Sequence, residues 1–481
     1  MQYSDTYEAV IGLEVHAQLL TKSKLFSADD AGFGGAPNTH ISPITLAHPG
    51  TLPKLNKEAI ELAVSMGLAC HCEIETTNYF ARKHYFYPDL PKGYQLSQHT
   101  TPVCKGGFVK IKTADGERSI RLNRIHMEED AGKSMHDQYE EYSVVDCNRA
   151  GVPLIEIVTE PDLHNGDEAA AYLTELRKMV RTLGVCDGNM EEGSMRCDAN
   201  ISVRLKGETR LGTKVEVKNL NSIRFLKKAI DFEVMRLIDL HEKGEPVIQQ
   251  TRSFNADDET TFAIRTKEDA NDYRYFADPD LPPFVITDAF VAKVRSSLPE
   301  LPEQRKQRLI QQYQLPEYDA ALLSDDQDLS NYFEATTKYS SAYKQIANWL
   351  LGPVKSLLNE QEQDIADFSL QPQQLAEIIT IVEEGKVSHT MAVQKLFPAM
   401  MQSQQSALQL AQEMNLIQER NTDALALLID EVLNTMPEKV TEYKKGKKGL
   451  MGLFVGEVMK KSKGKADPKL LNQLVAEKLA K

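Results

Sequence analysis

The sequence predicts an α+β protein whose strand-rich first part gives way to helices. Three observations carry this. Polar and apolar residues alternate through Ile11-Gly12-Leu13-Glu14-Val15-His16-Ala17-Gln18-Leu19, as on a half-buried strand. Up to about residue 290 the chain is cut into short pieces by turn signals such as Pro49-Gly50, Lys92-Gly93, Lys105-Gly106-Gly107 and Asp115-Gly116, which suits mixed or antiparallel sheet. At Asp278-Pro279-Asp280-Leu281-Pro282-Pro283 the composition changes, and after Phe284–Thr287 the chain is Gln-rich and poor in strand signals.

In the opening run Ile11, Leu13, Val15, Ala17 and Leu19 share one face, and Gly12, Glu14, His16 and Gln18 share the other. Later, Leu173, Leu176, Met179, Val180 and Leu183 recur at helical spacing within Asp167–Leu183, and Gly184 follows as a C-terminal cap. A second helix is expected near Ser222–His241. Beyond the composition change, Leu298-Pro299-Glu300-Leu301-Pro302-Glu303 reads as a proline-led helix start. The expected domains are 1–290, strand-rich; 291–405, a helical bundle; and 406–481, a smaller helical unit with a basic, glycine-punctuated stretch from Tyr443 to Lys465.

A chain of 481 residues is too long for one core. With 41% hydrophobic and 26% charged residues it reads as soluble and globular. No run of 18 apolar residues is present, so no membrane span is expected. The N-terminal residues resemble neither a signal nor a transit peptide, and a cytoplasmic protein is expected. Six cysteines make no disulfide framework. A net charge of −14 argues against nucleic-acid binding over the whole surface but leaves room for the basic stretch near the C-terminus.

Four rows mix acids with other polar groups. The first is Glu14/His16. The second is His126-Met127-Glu128-Glu129-Asp130, three consecutive acids that need a cation or donors to neutralise them. In the third, Asp198, Asn200, Ser202 and Arg204 share a face opposite Ala199, Ile201 and Val203, and Glu191 and Glu192 precede it. In the fourth, Lys214, Glu216 and Lys218 lie together, away from Val215 and Val217. The third and fourth are spaced to form a hairpin through Lys206–Leu211. Any single row is as readily a solvated sheet face; four together point further. Oxygen-rich ligands suit Mg²⁺, and Lys and Arg in the same rows suit nucleotide phosphates. The expectation is an ATP–Mg²⁺ site without a P-loop, since G-x-x-x-x-G-K-[ST] is absent and Gly32-Phe33-Gly34-Gly35 reads as a loop. In the second row Ile120 and Leu122 have a parity that Ile125 and Met127 break, which predicts a bulge and leaves open whether Glu128 or Glu129 faces the site.

Tyr79–Gln95 interleaves aromatic and basic residues and could stack on a base or simply pack as a loop. Cys70-His71-Cys72 with Cys104 is tighter than the structural zinc pattern, so buried thiols are expected, with zinc at Cys70/Cys72 as the alternative. No nucleophile with a supporting base is assignable.

These residues resemble the B subunits of the aspartyl/glutamyl-tRNA(Asn/Gln) amidotransferases. The resemblance rests on Ile11–His16, Pro49–Pro53, Arg82–Asp89, His126–Lys133, Asn148–Asp162, Glu191–Val203, Glu216–Ser222 and Asp272–Phe276, in family order along essentially the whole chain. It implies a cradle-like kinase domain binding ATP–Mg²⁺ and the aminoacyl end, then a helical domain, then a YqeY-like tail that touches tRNA. Its implied partners are an A-type amidase (glutaminase) subunit with a small C-type subunit in a heterotrimer, together with tRNA(Gln) and/or tRNA(Asn). The implied reaction phosphorylates the carboxylate of Glu or Asp mis-charged on tRNA with ATP, and ammonia then displaces the phosphate.

On that reading Glu14, His16, Glu129 and Glu216 are the catalytic set and first Mg²⁺ ligands, followed by Glu128, Glu191 and Asp198. Arg82, Lys83 and Lys214, with Asn200 and Ser202, are expected to contact phosphate or the acyl end. Lys444, Lys445, Lys447, Lys448, Lys460 and Lys461 are expected to meet tRNA phosphates. The chain departs from the family pattern at Ala81, where Asp usually precedes Arg-Lys, at Ala277, where Pro follows Tyr-Phe, at Cys147, and at Ala263-Ile264. Two rival readings remain. One is the E-type subunit of the archaeal Glu-tRNA(Gln) amidotransferase, whose inserted domain finds no room after Phe276. The other is a non-catalytic tRNA-binding protein, which would not need the acidic rows.

Overall fold

The computed structural model describes residues 5–135, 139, 141–266, 273–418, 422–462, 466 and 468–480. Asp272, part of one family segment, lies outside them, as do Lys463 and Lys465. The chain divides into two compact units, 1–301 and 302–481.

The first unit is built on a mixed sheet of thirteen strands among the described residues. Ten form its main path: β1 (Tyr7–Gln18), β2 (Ala81–His84), β3 (Tyr94–Ser97), β4 (Gly116–Glu129), β5 (Pro153–Thr159), β6 (Met195–Leu205), β7 (Val215–Leu220), β8 (Gln250–Asn255), β9 (Thr260–Thr266) and β10 (Phe276–Ala277). Across the sheet they run β9-β8-β7-β6-β1-β5-β4-β3-β2-β10. Neighbours on this path are antiparallel except β7 and β8, which are parallel. The crossover between those two is helix α3 (Ile223–Glu242), as a parallel pair requires.

The expected alternation decides which face is covered. Ile11, Leu13, Val15 and Ala17 of β1 are buried with Ile155 and Ile157 of β5 and Ala199, Ile201 and Val203 of β6. Against this face pack α1 (Lys57–Ala69), α2 (Gly166–Thr182) and α3. The predicted helices at 167–183 and 222–241 therefore form, each capped by a side chain: Asn165 Oδ1 accepts from Glu168 N, and Ser222 Oγ from Phe225 N. Helix α1 has no counterpart among the expected elements. Ala59, Ala63, Val64, Met66, Leu68 and Ala69 are all buried, so its apolar residues show no narrow stripe. The hairpin expected between the third and fourth rows is present as β6–β7. The bulge expected in the second row is present too. Arg124 pairs with Val158 and Leu122 with Thr159, so Asn123 is the extra residue.

The second unit is helical among its described residues, and Pro302 opens its first helix, Pro302–Tyr313. It contains two separate apolar clusters. One is centred on Trp349, Phe333 and Leu350; the other joins Leu425, Phe454, Leu471 and Val475. No helix among the described residues is long and apolar enough to cross a membrane.

Candidate active site: two acidic clusters on the open sheet face

Opposite the helices, a row of polar residues runs from strand to strand. Asn200 faces Gly12 and Glu216; Asp198 faces Glu14; Glu156 faces both His16 and His126; Ser97 faces Glu128. Facing partners across a ladder share a face, so these side chains form one band across six strands. Glu14 and His16 sit about 7 Å apart along β1 by strand rise, and each heads a separate cluster.

His16, Glu128 and Glu156 bring ligand atoms within 4.8 Å of one another, and so do Glu14, Asp198 and Glu216. In the first cluster His16 Nε2 lies 3.4 Å from Glu156 Oε2, and His126 Nε2 lies 3.1 Å from Glu128 Oε1 and 3.3 Å from Glu156 Oε2. Ser97 Oγ and Gln95 Nε2 donate to Glu128 at 2.7 and 3.1 Å. Burial alone would raise the Glu128 carboxyl, but the His126 hydrogen bond and the charges of His126 and Lys83 hold it down to about 2. Glu156 is likewise held well below the usual carboxylate range: burial opposes this, and the two histidines outweigh burial. The converse holds for the rings. Burial disfavours their charge, yet His126 is raised to about 9 by Glu156 and Glu128, and His16 is raised by Glu156 with Glu128 and Asp198. Arg124 Nε approaches His126 Nδ1 at 3.3 Å, a contact only the neutral ring accepts. The two carboxylates on the other nitrogen are the stronger influence.

In the second cluster Asn200 Nδ2 donates to Glu14 Oε1 at 2.9 Å and Thr251 Oγ1 to Glu216 Oε2 at 2.8 Å. Lys218 Nζ lies 2.6 Å from Asp198 and 3.3 Å from Glu216. Asn200 Oδ1 is buried without a hydrogen-bond partner. Three carboxylates brought together are a donor set that a hard divalent cation takes. A cavity of about 250 Å³ adjoins this cluster, lined by Gly12, Glu14, Val158, Asn200, Ser202 and Lys214 among others.

Lys83, on β2, sits with Nζ 5.1 Å from the Tyr273 ring centre and 5.8 Å from that of Tyr85. Burial disfavours its charge, but Glu128 and Glu156 are near enough to raise its pKa. It therefore belongs beside the first cluster. Arg82, on the same strand, is committed elsewhere: it pairs with Asp278 at 2.6 Å and Asp280 at 3.0 Å, with its guanidinium 4.4 Å from the Tyr94 ring centre.

Two expected ligands lie apart from both clusters. After the Asn123 bulge, Ile125 and Met127 point into the core, so His126 and Glu128 face the site and Glu129 does not. Glu129 accepts from Leu96 N at 2.9 Å and pairs with Lys92 at 2.5 Å, beside a separate cavity of about 120 Å³. Glu191 lies in an exposed turn whose amide bonds Asn189 Oδ1 at 3.0 Å. Glu156 is not among the expected residues, although the sequence carries a signal for it: a lone carboxylate between Ile155 and Ile157, whose parity opposes the core.

The cysteines take part in neither cluster. Cys70 and Cys104 are buried, and burial pushes both thiols well up; Cys72 is pushed up to about 12 and donates to Gly106 O at 3.0 Å. Of the C-terminal lysines, Lys444 ends the helix Pro437–Lys444. Lys448 Nζ lies 4.5 Å from the Tyr443 ring centre, Lys447 pairs with Glu442 at 3.2 Å, and Lys460 and Lys461 end the helix Met451–Lys461.

The family described as the GatB/GatE catalytic domain matches residues 9–292, and the GatB domain matches residues 331–479. Relatives named as B subunits of aspartyl/glutamyl-tRNA(Asn/Gln) amidotransferase include those of Thermodesulfovibrio yellowstonii, 48% identical over 98% of each chain, and Alkalilimnicola ehrlichii, 47% identical over 98% of this chain and 99% of the relative. That of Bdellovibrio bacteriovorus is 45% identical over 98% of this chain and 99% of its own. On the match along both units, the chain belongs to the family of aspartyl/glutamyl-tRNA(Asn/Gln) amidotransferase B subunits.

Proposed function

We propose that the first unit is a cradle-like kinase domain that activates the carboxylate of Glu or Asp mis-charged on tRNA(Gln) or tRNA(Asn). The carboxylate oxygen attacks the γ-phosphorus of ATP, ADP leaves, and the resulting acyl phosphate loses its phosphate to ammonia, forming the amide. The ammonia comes from an amidase partner in a cytoplasmic heterotrimer with a small third subunit. The observation that carries this reading is the pair of ligand clusters side by side on an open sheet face. Purely binding surfaces have no use for two such groups of desolvated charge.

Glu14, Asp198 and Glu216, with Asn200 Oδ1, would hold one Mg²⁺, and His16, Glu128 and Glu156 a second. The metal would offset charge on the phosphoryl oxygens. The chain's own residues do the rest. Gly12, Ser202 and Lys214 line a cavity beside the Glu14 cluster that takes the nucleotide. Lys83, kept protonated by Glu128, presents a cation to the substrate carboxylate or the transferring phosphate. Tyr85 and Tyr273 flank Lys83 and limit its contact with water. In the tail, Lys444, Lys445, Lys447, Lys448, Lys460 and Lys461 meet tRNA phosphates.

Hydroxylamine trapping tests the activation step without ammonia. The assembled complex, given ATP and mis-charged tRNA, should yield the hydroxamate of the side-chain carboxylate, and only with ATP present. Glu14→Gln and Asp198→Asn should lower the yield at least a hundredfold while tRNA binding persists. Undiminished trapping by both variants would remove these residues from the reaction.

A further inference from the structure

Glu14, Asp198 and Glu216 bring three carboxylates together, and an ammonium already touches two of them. Lys218 Nζ is 2.6 Å from Asp198 Oδ2 and 3.3 Å from Glu216 Oε1. The backbone fixes it there. Val215 and Val217 point into the core, so Glu216 and Lys218 point at the site. Asn200 faces Glu216 and Ala199 faces Val217, and the register then shifts, so that Asp198 stands against both Lys218 and Asn219. Cys197 pairs with Leu220, while Asn219 takes left-handed backbone at φ 64° and its Nδ2 donates to Ser253 Oγ at 2.7 Å. A bulge anchored in this way stops the strand from sliding and keeps Lys218 on Asp198.

An ammonium brings one charge and three donors to the carboxylates. A divalent cation takes carboxylate oxygens directly as ligands and brings twice the charge. We propose that Lys218 is the resident counter-ion of this cluster: its ammonium holds Asp198 and Glu216 together in the ion-free protein and gives them up when a divalent cation binds. This rests on reading Glu14, Asp198 and Glu216 as cation ligands.

Mn²⁺ titration of the full chain in its assembled complex tests the idea, in a His16→Gln background that weakens the neighbouring cluster. Lys218→Met should bind Mn²⁺ at least tenfold more tightly than its parent. It should also melt at a lower temperature without ion, and that deficit should vanish at saturating Mn²⁺. Lys218→Arg, which keeps a cation in place, should bind Mn²⁺ no more tightly than the parent. If Lys218→Met does not fold, Lys218→Gln is read by the same criteria. Unchanged or weaker Mn²⁺ binding, or a melting deficit that persists at saturation, overturns the role of Lys218. Asp198→Asn separates this from failure of the ligand reading: if it leaves Mn²⁺ affinity unchanged, the carboxylates are not ligands, whatever Lys218 does.

Discussion

Glu156→Gln probes the first cluster with little change of shape. The glutamine fills the same volume but removes the charge that sits 3.4 Å from His16 and 3.3 Å from His126. At an effective dielectric of about 20, one such contact with a protonated ring is worth ~5 kcal/mol before desolvation is deducted. Removing one partner of a buried pair costs about 3–5 kcal/mol in practice. Both rings can shed their protons in response, so the lower end applies, about 3 kcal/mol. In a unit of this size that lowers the melting temperature by about 5 °C. The pH dependence follows from the directions of the shifts. Glu156 is held below its ordinary 4.5, so its contribution is present above that pH and is lost as the solution is acidified. His126 is raised from 6.5 to about 9, so its contribution is full below 6.5 and is lost as pH climbs through 9. The gap between variant and wild type should be widest between about pH 5 and 6.5 and close toward pH 10. Thermal denaturation across pH, with Mn²⁺ affinity measured alongside, reads all of this. A variant that melts with wild type from pH 5 to 8 would refute the electrostatic account. One that binds Mn²⁺ like wild type would remove Glu156 from the ligand set.

Two further outcomes are expected. Alanine at Lys444, Lys445, Lys447 and Lys448 together should weaken tRNA binding and reduce the slope of log affinity against log salt by about 3 if each meets a phosphate; an unchanged slope in filter binding would place the tRNA elsewhere. Gly107→Ala should cost about 3 kcal/mol or more in chemical denaturation. Gly107 has φ +89°, and a Cβ would overlap Cys70 O and stand 2.7 Å from Cys72 Sγ; an unshifted midpoint would mean that the loop yields freely.

Local pattern makes one cluster readable and hides part of the other. Glu14, Asp198 and Glu216 each stand in a strand whose apolar residues alternate cleanly, so their shared face follows from parity alone. Glu128 and Glu129 cannot be told apart in the sequence because the alternation is reset at Asn123, and only pairing with Thr159 and Val158 shows which residue is extra. Glu156 escapes notice because β5 is apolar on both sides of it and reads as a core strand. That one strand carries His16 and His126 to the same carboxylate depends on pairings with β1 and β4 that no short window contains. Helix α1 is hidden because its burial is nearly all-round. Partner identity across the sheet also bears on the departures from the family pattern. Ala81 and Ala277 pair directly, β2 against β10, so two of those departures meet at one contact.

The position of β1 at the middle of the sheet has a consequence for how this protein is made. Glu14 and its partner Asn200 are 186 residues apart. At a synthesis rate of roughly 5–20 residues per second, β1 leaves the ribosome about 10–40 s before β6 exists to pair with it. Until β5 emerges this twelve-residue strand has neither lateral neighbour, and until β6 emerges it still has one open edge, with one face apolar and the other carrying Glu14 and His16, one member of each cluster. The nascent chain therefore presents an adhesive, open-edged strand from its first domain onward. A release or stall before residue 200 should leave a fragment that aggregates rather than a smaller, weaker version of the site.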